Sequence, residues 1–410
     1  MNVTDFQASK SFSDNKEYKC ITLEYGLEAL LVSSLSLTTK NVPIVSKAAA
    51  AMCVSIGSFS DPEYCCGLAH FVEHMVFMGS EKYPVENEYD SFVSAHGGYC
   101  NAFTDSQFTC YTFDILSEYF AEALDIFANC FISPLLSINS ADREVSAIDS
   151  EYTIALNHDD NRLQQVLSFS SNEDHVMKKF GWGNKLSLTN AFPSGDAKVE
   201  DLLRVFHHNY YRPANMKLVV IGPFSLEYLG DIVSNSFGQW RGPLNEKSMR
   251  TVEVTNHRLH SLEEYRSHIS KQGLPYNFNN ILYKRVIAVK NHSWLHLYWQ
   301  LPPAMQLYRS KPDEYLAHLL GHECSGSLFS CLKSLGLASQ LIAGVSEKSR
   351  FLRCKGDISP AFLLCLTRSH RTIEALTFSP ARTPLYSVHV GPGGGRLLQQ
   401  FDRFILRRGG

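Results

Sequence analysis

The sequence predicts an α+β fold: a mixed sheet packed with helices, then a second, shorter region of the same character. Paired runs of β-branched and aromatic residues are interleaved with long helical periods, the pattern of strand pairs and helices sharing one core. A stretch rich in Pro, Gly and charge, from Gly238 to His257, breaks the pattern, and strand and helix signals resume beyond it.

Residues 1–19 form a polar extension. Residues 20–34 read as two strands around Tyr25-Gly26, and 46–58 as a strand of small and apolar residues. A helix is expected from Gly67 to Met78. A second covers 86–95, with Tyr89, Phe92 and Val93 on one face and Gly97-Gly98 ending it. Residues 99–114, rich in aromatics and Thr, read as two strands. Helices follow at 117–131, 140–157 and 198–210, then a buried strand at 216–222. The expected domains are 20–240, a linker at 241–257 and a second domain over 258–347, with strands at 286–290 and 294–301 and a helix at 312–320.

At 410 residues, 44% hydrophobic and 12% aromatic, the chain can build ordinary cores, which excludes wholesale disorder. A net charge of −3 lacks the basic excess of a dedicated nucleic-acid binder, so no nucleic-acid partner is expected. The charge is unevenly spread. Residues 1–347 hold 27 basic and 38 acidic groups, a net of −11, whereas 348–410 hold 11 and 3, a net of +8. The 11 cysteines are odd in number and scattered, which fits a reducing compartment. Met1 to Cys20 lacks the apolar core of a signal peptide, so a cytoplasmic location is expected. No run of 18 apolar residues exists, and no membrane span is expected.

The sharpest chemical feature is His70-Phe71-Val72-Glu73-His74. On a helix, His70 and His74 share one face, so both imidazoles can reach one metal ion. Glu73 lies beside His74 and can reach a water at that metal without ligating it. This is the H-x-x-E-H pattern, the reverse of H-E-x-x-H. Apolar Leu68, Ala69, Phe71, Val72, Met75, Val76 and Phe77 imply a buried helix, where His and Glu need partners. A catalytic zinc generally takes a third protein ligand. The helix over 140–157 offers Glu144 and Glu151, two turns apart on one face, and Asp149 is an equal candidate from pattern alone.

At these residues the chain resembles the pitrilysin/insulysin family of inverted-motif zinc peptidases. The resemblance is carried by GLAHFVEHMVFMGSEKYP (67–84), HGGYCNAFTD (96–105), DREVSAIDSEY (142–152), FGWGN (180–184) and LLGHECSGSLFSCLKS (319–334). Tyr152 and Trp182-Gly183-Asn184 look most like its nardilysin branch. The resemblance implies a pitrilysin-like metallopeptidase domain followed by an incomplete second domain of the same kind. It implies one Zn2+ per chain held by His70, His74 and Glu151, with Glu144 as the supporting carboxylate and Glu73 as the proton-transferring base. It also implies oligopeptide substrates, received by β-addition along an edge strand at Asn101, Ala102 and Phe103. Residues 321–327 and 341–347 resemble a second-domain surface that anchors a substrate's N-terminus, with Cys324 where glycine is usual and Leu337 where tryptophan is usual.

Two departures stand out. Leu37 to Lys47 joins its flanking strands without the long acidic insertion common in animal nardilysins, so cleavage near basic residues is implied weakly. The −11 charge of 1–347 would still steer cationic peptides. The resemblance ends near Glu347, inside the second domain. Residues 348–410 are expected to be a divergent basic tail without the family's strand and helix, arising from a frameshift, retained intron or mispredicted splice, with a basic functional tail as the alternative. Loss of the C-terminal half implies weak turnover, and self-association or completion by a separate C-terminal half. A catalytically inactive peptide-binding fragment is the alternative reading. Cys65, Cys66, Cys100 and Cys110 flank the expected site, where thiol modification would block it.

Overall fold

The computed structural model describes residues 2–4, 10–35, 46–189, 199–238, 240, 264, 275–276, 283–290, 293–300, 307, 309–345, 361–368 and 385–389. The chain divides into two compact units, Met1–Tyr152 with Phe180–Tyr265, and Thr153–Lys179 with Arg266–Gly410.

In the first unit the strands are β1 (Asn2–Thr4), β2 (Glu17–Thr22), β3 (Glu28–Ser33), β4 (Lys47–Val54), β5 (Tyr99–Thr104), β6 (Thr109–Leu116) and β7 (Met216–Gly222). They form one sheet in the order β1-β2-β3-β7-β4-β6-β5. β3 and β7 pair in parallel and the other neighbours are antiparallel, so the sheet is mixed. Asn2–Thr4, read from sequence as part of a polar extension, supplies an edge strand.

Period-two burial explains the sheet's two faces. Ala48, Ala50, Met52 and Val54 of β4 are buried, as are Thr109, Tyr111, Phe113 and Ile115 of β6, while the intervening residues are less buried. The buried side chains meet helices α1 (Leu68–Val76), α2 (Glu88–Ala95) and α3 (Phe120–Ile132). Further helices are α4 (Ile138–Ala155), α5 (Asp159–Phe169), α6 (Lys185–Thr189), α7 (Val199–Tyr210) and α8 (Leu226–Phe237). The core is aromatic: Tyr111, Phe127 and Phe131 pack edge to face, with ring centroids 5.0 Å apart for Tyr111–Phe131 and 4.9 Å for Phe127–Phe131.

α1 is anchored at its start by one buried carboxylate. Asp61, only 1% exposed, accepts the Gly67 N–H at 2.7 Å and the Ala69 N–H at 2.8 Å. These are donors at a helix start that lack an intrahelical partner, and a negative charge there suits the helix dipole. Leu68, Phe71, Val72, Met75 and Val76 are fully buried, each contributing about 1.5–3 kcal/mol of transfer free energy. Gly67 has φ 93°, and a Cβ there would fall 2.2 Å from the Cα of Gly183. Only glycines permit this approach of the 181–184 loop to the start of α1.

In the second unit the strands are β8 (Tyr283–Val286), β9 (Ser293–Gln300), β10 (Gln340–Val345), β11 (Ala361–Arg368) and β12 (Leu385–His389), in the order β10-β11-β9-β12-β8. Helices Pro312–Leu320 and Leu328–Ser334 precede β10. α5 carries Leu163 into a small core with Val286 and Tyr298, and Asp159 accepts the N–H groups of Val289 and Lys290 at 2.8 and 3.1 Å. These contacts group residues 153–179 with the second unit, whereas the sequence reading ran one domain continuously through 20–240.

Within 348–410, expected from sequence to be a divergent basic tail, the structure places two strands. β11 pairs antiparallel with all eight residues of β9, and β12 pairs with both β8 and β9. Phe362-Leu363-Leu364-Cys365-Leu366 is a continuous apolar run, and β11 lies between β10 and β9 in the sheet. The linker 241–257, the 37–45 junction and the remainder of 348–410 lie outside the described residues.

Gly67→Ala is expected to lower stability by at least about 1–2 kcal/mol from the left-handed conformation alone, with the clash against Gly183 adding to it. Urea unfolding checks this. A second expectation concerns pH. The His207 Nε2 on α7 is shielded from solvent with no hydrogen-bond partner, and burial pushes the imidazole down to about 4. The folded state therefore binds fewer protons than the unfolded state between about pH 6.5 and 4, and stability falls as pH drops through that window. Between pH 6 and 5 this group costs about 1 kcal/mol, a slope that His207→Phe should remove from metal-free protein.

Candidate metal centre

α1 presents His70 and His74 on the face turned toward α4. The two Nε2 atoms lie 3.3 Å apart, and Glu151 of α4 comes within 3.6 Å of His70 Nε2 and 3.7 Å of His74 Nε2. The three donor atoms fall within 4.8 Å of one another, and they form the one such cluster among the described residues.

The opposite ring nitrogens are held. His70 Nδ1 donates to the Trp182 carbonyl at 2.7 Å, and His74 Nδ1 donates to Glu144 Oε2 at 2.9 Å. With hydrogen on Nδ1, each Nε2 carries a lone pair, and the two lone pairs face each other and a carboxylate. A proton on one of the two Nε2 atoms, or a metal ion among the three groups, relieves that repulsion. Two ligands about 2.0–2.1 Å from a tetrahedral zinc stand about 3.3 Å apart, so the imidazole spacing fits.

Burial, and then the neighbouring His74, push His70 down to about 4. For His74, burial pulls downward, but the bond to Glu144 and the charges of Glu151 and Glu73 outweigh it and leave the ring raised. Glu73 is 7% exposed, and burial lifts its carboxyl to about 7. Thr104 donates to Glu73 Oε2 at 2.6 Å.

Of the three carboxylates that the sequence pattern left open, Asp149 points elsewhere. Its Oδ1 accepts the Lys185 N–H at 3.0 Å, at the start of α6. Glu144 and Glu151 share the helix face toward α1 but differ in reach, Glu144 meeting an Nδ1 and Glu151 the two Nε2 atoms.

Asn101, Ala102 and Phe103 lie on β5, whose outer edge has no strand partner among the described residues. Tyr99 and Phe103 are exposed, at 64% and 48%. β5 packs against α1, and Thr104, the strand's last residue, is the one bonded to Glu73. Sequence reasoning missed Thr104 and Trp182 as partners of the site. Their contacts close only in three dimensions, although both fall inside the quoted motifs. In the second unit, 321–327 form the turn between two helices and 341–345 belong to β10.

Two imidazoles and a carboxylate converging on one point, with a further buried carboxylate at hand, are a donor set that could hold a single metal ion. The profile described as insulinase (peptidase family M16) matches residues 37–178, and that of the peptidase M16 inactive domain matches 199–376, which runs beyond Glu347 where the resemblance was expected to end. A nardilysin-like protein of Arabidopsis thaliana is 44% identical over 301 residues, covering 73% of this chain and 27% of that one. The human insulin-degrading enzyme is 37% identical over 342 residues, covering 83% and 31%. The crystal structure of pitrilysin superposes with a TM-score of 0.71 at 26% identity, over 90% of this chain and 35% of that one. The chain belongs to the M16 family of peptidases, and it spans about a third of the length of these relatives. No described helix is long and apolar enough to cross a membrane.

Truncating Glu144 to Ala should weaken Zn2+ affinity about 10- to 100-fold by releasing the His74 ring. Asp149→Asn should leave affinity unchanged. Competition with a chromophoric chelator measures both.

Proposed function

We propose that the chain is a zinc-dependent endopeptidase of the nardilysin/insulysin type, cleaving extended oligopeptides near basic residues, with one Zn2+ held by His70, His74 and Glu151. The observation that carries this reading is the convergence of the two Nε2 atoms, 3.3 Å apart, on Glu151, with buried Glu73 beside them. When bound, zinc supplies Lewis acidity: it lowers the pKa of a water toward about 7 and polarises a carbonyl.

The chain's own residues do the rest. Glu73 takes a proton from the attacking water and returns it to the leaving amine. The Thr104 hydroxyl, bonded to Oε2, fixes the carboxyl's orientation and leaves Oε1 for that exchange. Glu144 holds the His74 ring and the Trp182 carbonyl holds the His70 ring, so both imidazoles are aimed before metal arrives. A peptide adding to β5 pairs its main chain with Asn101, Ala102 and Phe103, which selects extended substrates. The net charge of −11 on residues 1–347 favours cationic ones. A cytoplasmic location and self-association belong to the same proposal.

The second reading is a peptide-binding fragment that keeps the metal centre. One experiment separates the two. Glu73→Gln should retain one zinc per chain and lose cleavage of a quenched basic oligopeptide, while the wild type cleaves it. If the zinc-loaded wild type cleaves no faster than Glu73→Gln, the peptidase reading fails and the binding reading stands.

A further inference from the structure

Nine described cysteines stand outside any disulfide, and two of them face each other across a strand pair. In the β4–β6 register Cys53 is the direct partner of Cys110. Elsewhere the described strands set Cys20 opposite Leu30, Cys100 opposite Phe113 and Cys365 opposite His296. Cys65 and Cys66 are chain neighbours, too close for an ordinary bridge.

Residues directly opposite in antiparallel strands have Cα atoms about 4.5 or 5.5 Å apart, and a disulfide accepts about 4.4–6.8 Å. Burial alternation puts both thiols on the same side of the sheet. Met52, Val54, Thr109 and Tyr111 are buried on the helix-covered face, so Cys53 and Cys110 stand on the other, partly exposed one. They occupy the middle of a cross-strand row running Phe103, Cys110, Cys53, Lys217. The row begins on β5, whose Phe103 belongs to the edge that the proposed function assigns to substrate.

We propose that Cys53 and Cys110 are a redox-active dithiol that closes to a cross-strand disulfide by exchange with a small-molecule disulfide. One thiolate attacks a sulfur of the small disulfide and displaces one small thiolate, giving a mixed disulfide. The partner thiolate attacks the protein sulfur of that adduct and displaces the second small thiolate. Two protein thiols are oxidised, one small disulfide is reduced, and the two protons end on the two small thiols. The Cα spacing expected of such a directly opposed pair falls within the range a disulfide accepts. Burial, and then the neighbouring Cys110, raise the Cys53 thiol to about 11, with Lys217 offsetting part of this. Exchange is therefore slow at neutral pH and speeds up as pH rises.

The bridge is independent of zinc and of peptidase activity, so its test reads chemistry alone. The folded chain is incubated with oxidised glutathione at pH 8.5, alkylated with N-ethylmaleimide, digested and examined by mass spectrometry. Exposed Cys324 reports that the reagent has acted. The expected result is a peptide linking Cys53 to Cys110, the joint loss of both from the alkylated pool, and their return after dithiothreitol. Cys53→Ser should leave Cys110 unlinked. The proposal is overturned if Cys324 is glutathionylated while Cys53 and Cys110 stay alkylatable, or if each carries its own glutathione with no link between them.

Discussion

Two imidazole nitrogens 3.3 Å apart, on successive turns of one buried helix, are the constraint around which the first unit is arranged. The two can stay so close only because the rest of each ring is fixed and a proton or a metal ion can be shared between them. The fixing is done from two directions. α4 brings Glu144 to one ring, and the 181–184 loop brings the Trp182 carbonyl to the other. The loop reaches that position because Gly67 and Gly183 meet without side chains, and α1 starts there because Asp61 holds its first N–H groups. A long-range hydrogen bond, a glycine contact and a buried carboxylate thus converge on the orientation of two side chains.

The same helix joins that centre to the sheet. Glu73 faces β5, and Thr104 at the end of the strand holds one of its oxygens. A peptide laid along β5 would be positioned by the strand that also orients the proton-carrying carboxylate. Placing the two functions on one rigid element makes their spacing a property of the sheet register rather than of a mobile loop.

What the sequence disclosed, and what it concealed, follow from the range of the interactions. The α1 helix was legible because its apolar positions and its His-x-x-x-His spacing are local, and β5 and β6 because aromatic and Thr-rich runs bracket a short turn. The choice among Glu144, Asp149 and Glu151 could not be read from spacing, since all three lie on one helix and their targets are set by α1 and α6. α5 was overlooked because its sequence is polar, with Leu163 as its single buried residue, and its packing depends on residues more than a hundred positions away. β11 was overlooked for the opposite reason: its apolar run carries no alternation, and the basic residues around it dominated the reading. The pairing of Cys53 with Cys110 exists only once β4 and β6 are in register.

The central claim is that His70, His74 and Glu151 together hold one zinc through their converging atoms. X-ray absorption at the zinc edge of the loaded chain tests it most directly. The account predicts one zinc per chain, two imidazole ligands and oxygen donors at about 2.0–2.1 Å, with the imidazole scattering reduced to that of a single ring in His70→Ala. A sulfur shell near about 2.3 Å, or an unchanged spectrum in His70→Ala, would contradict it.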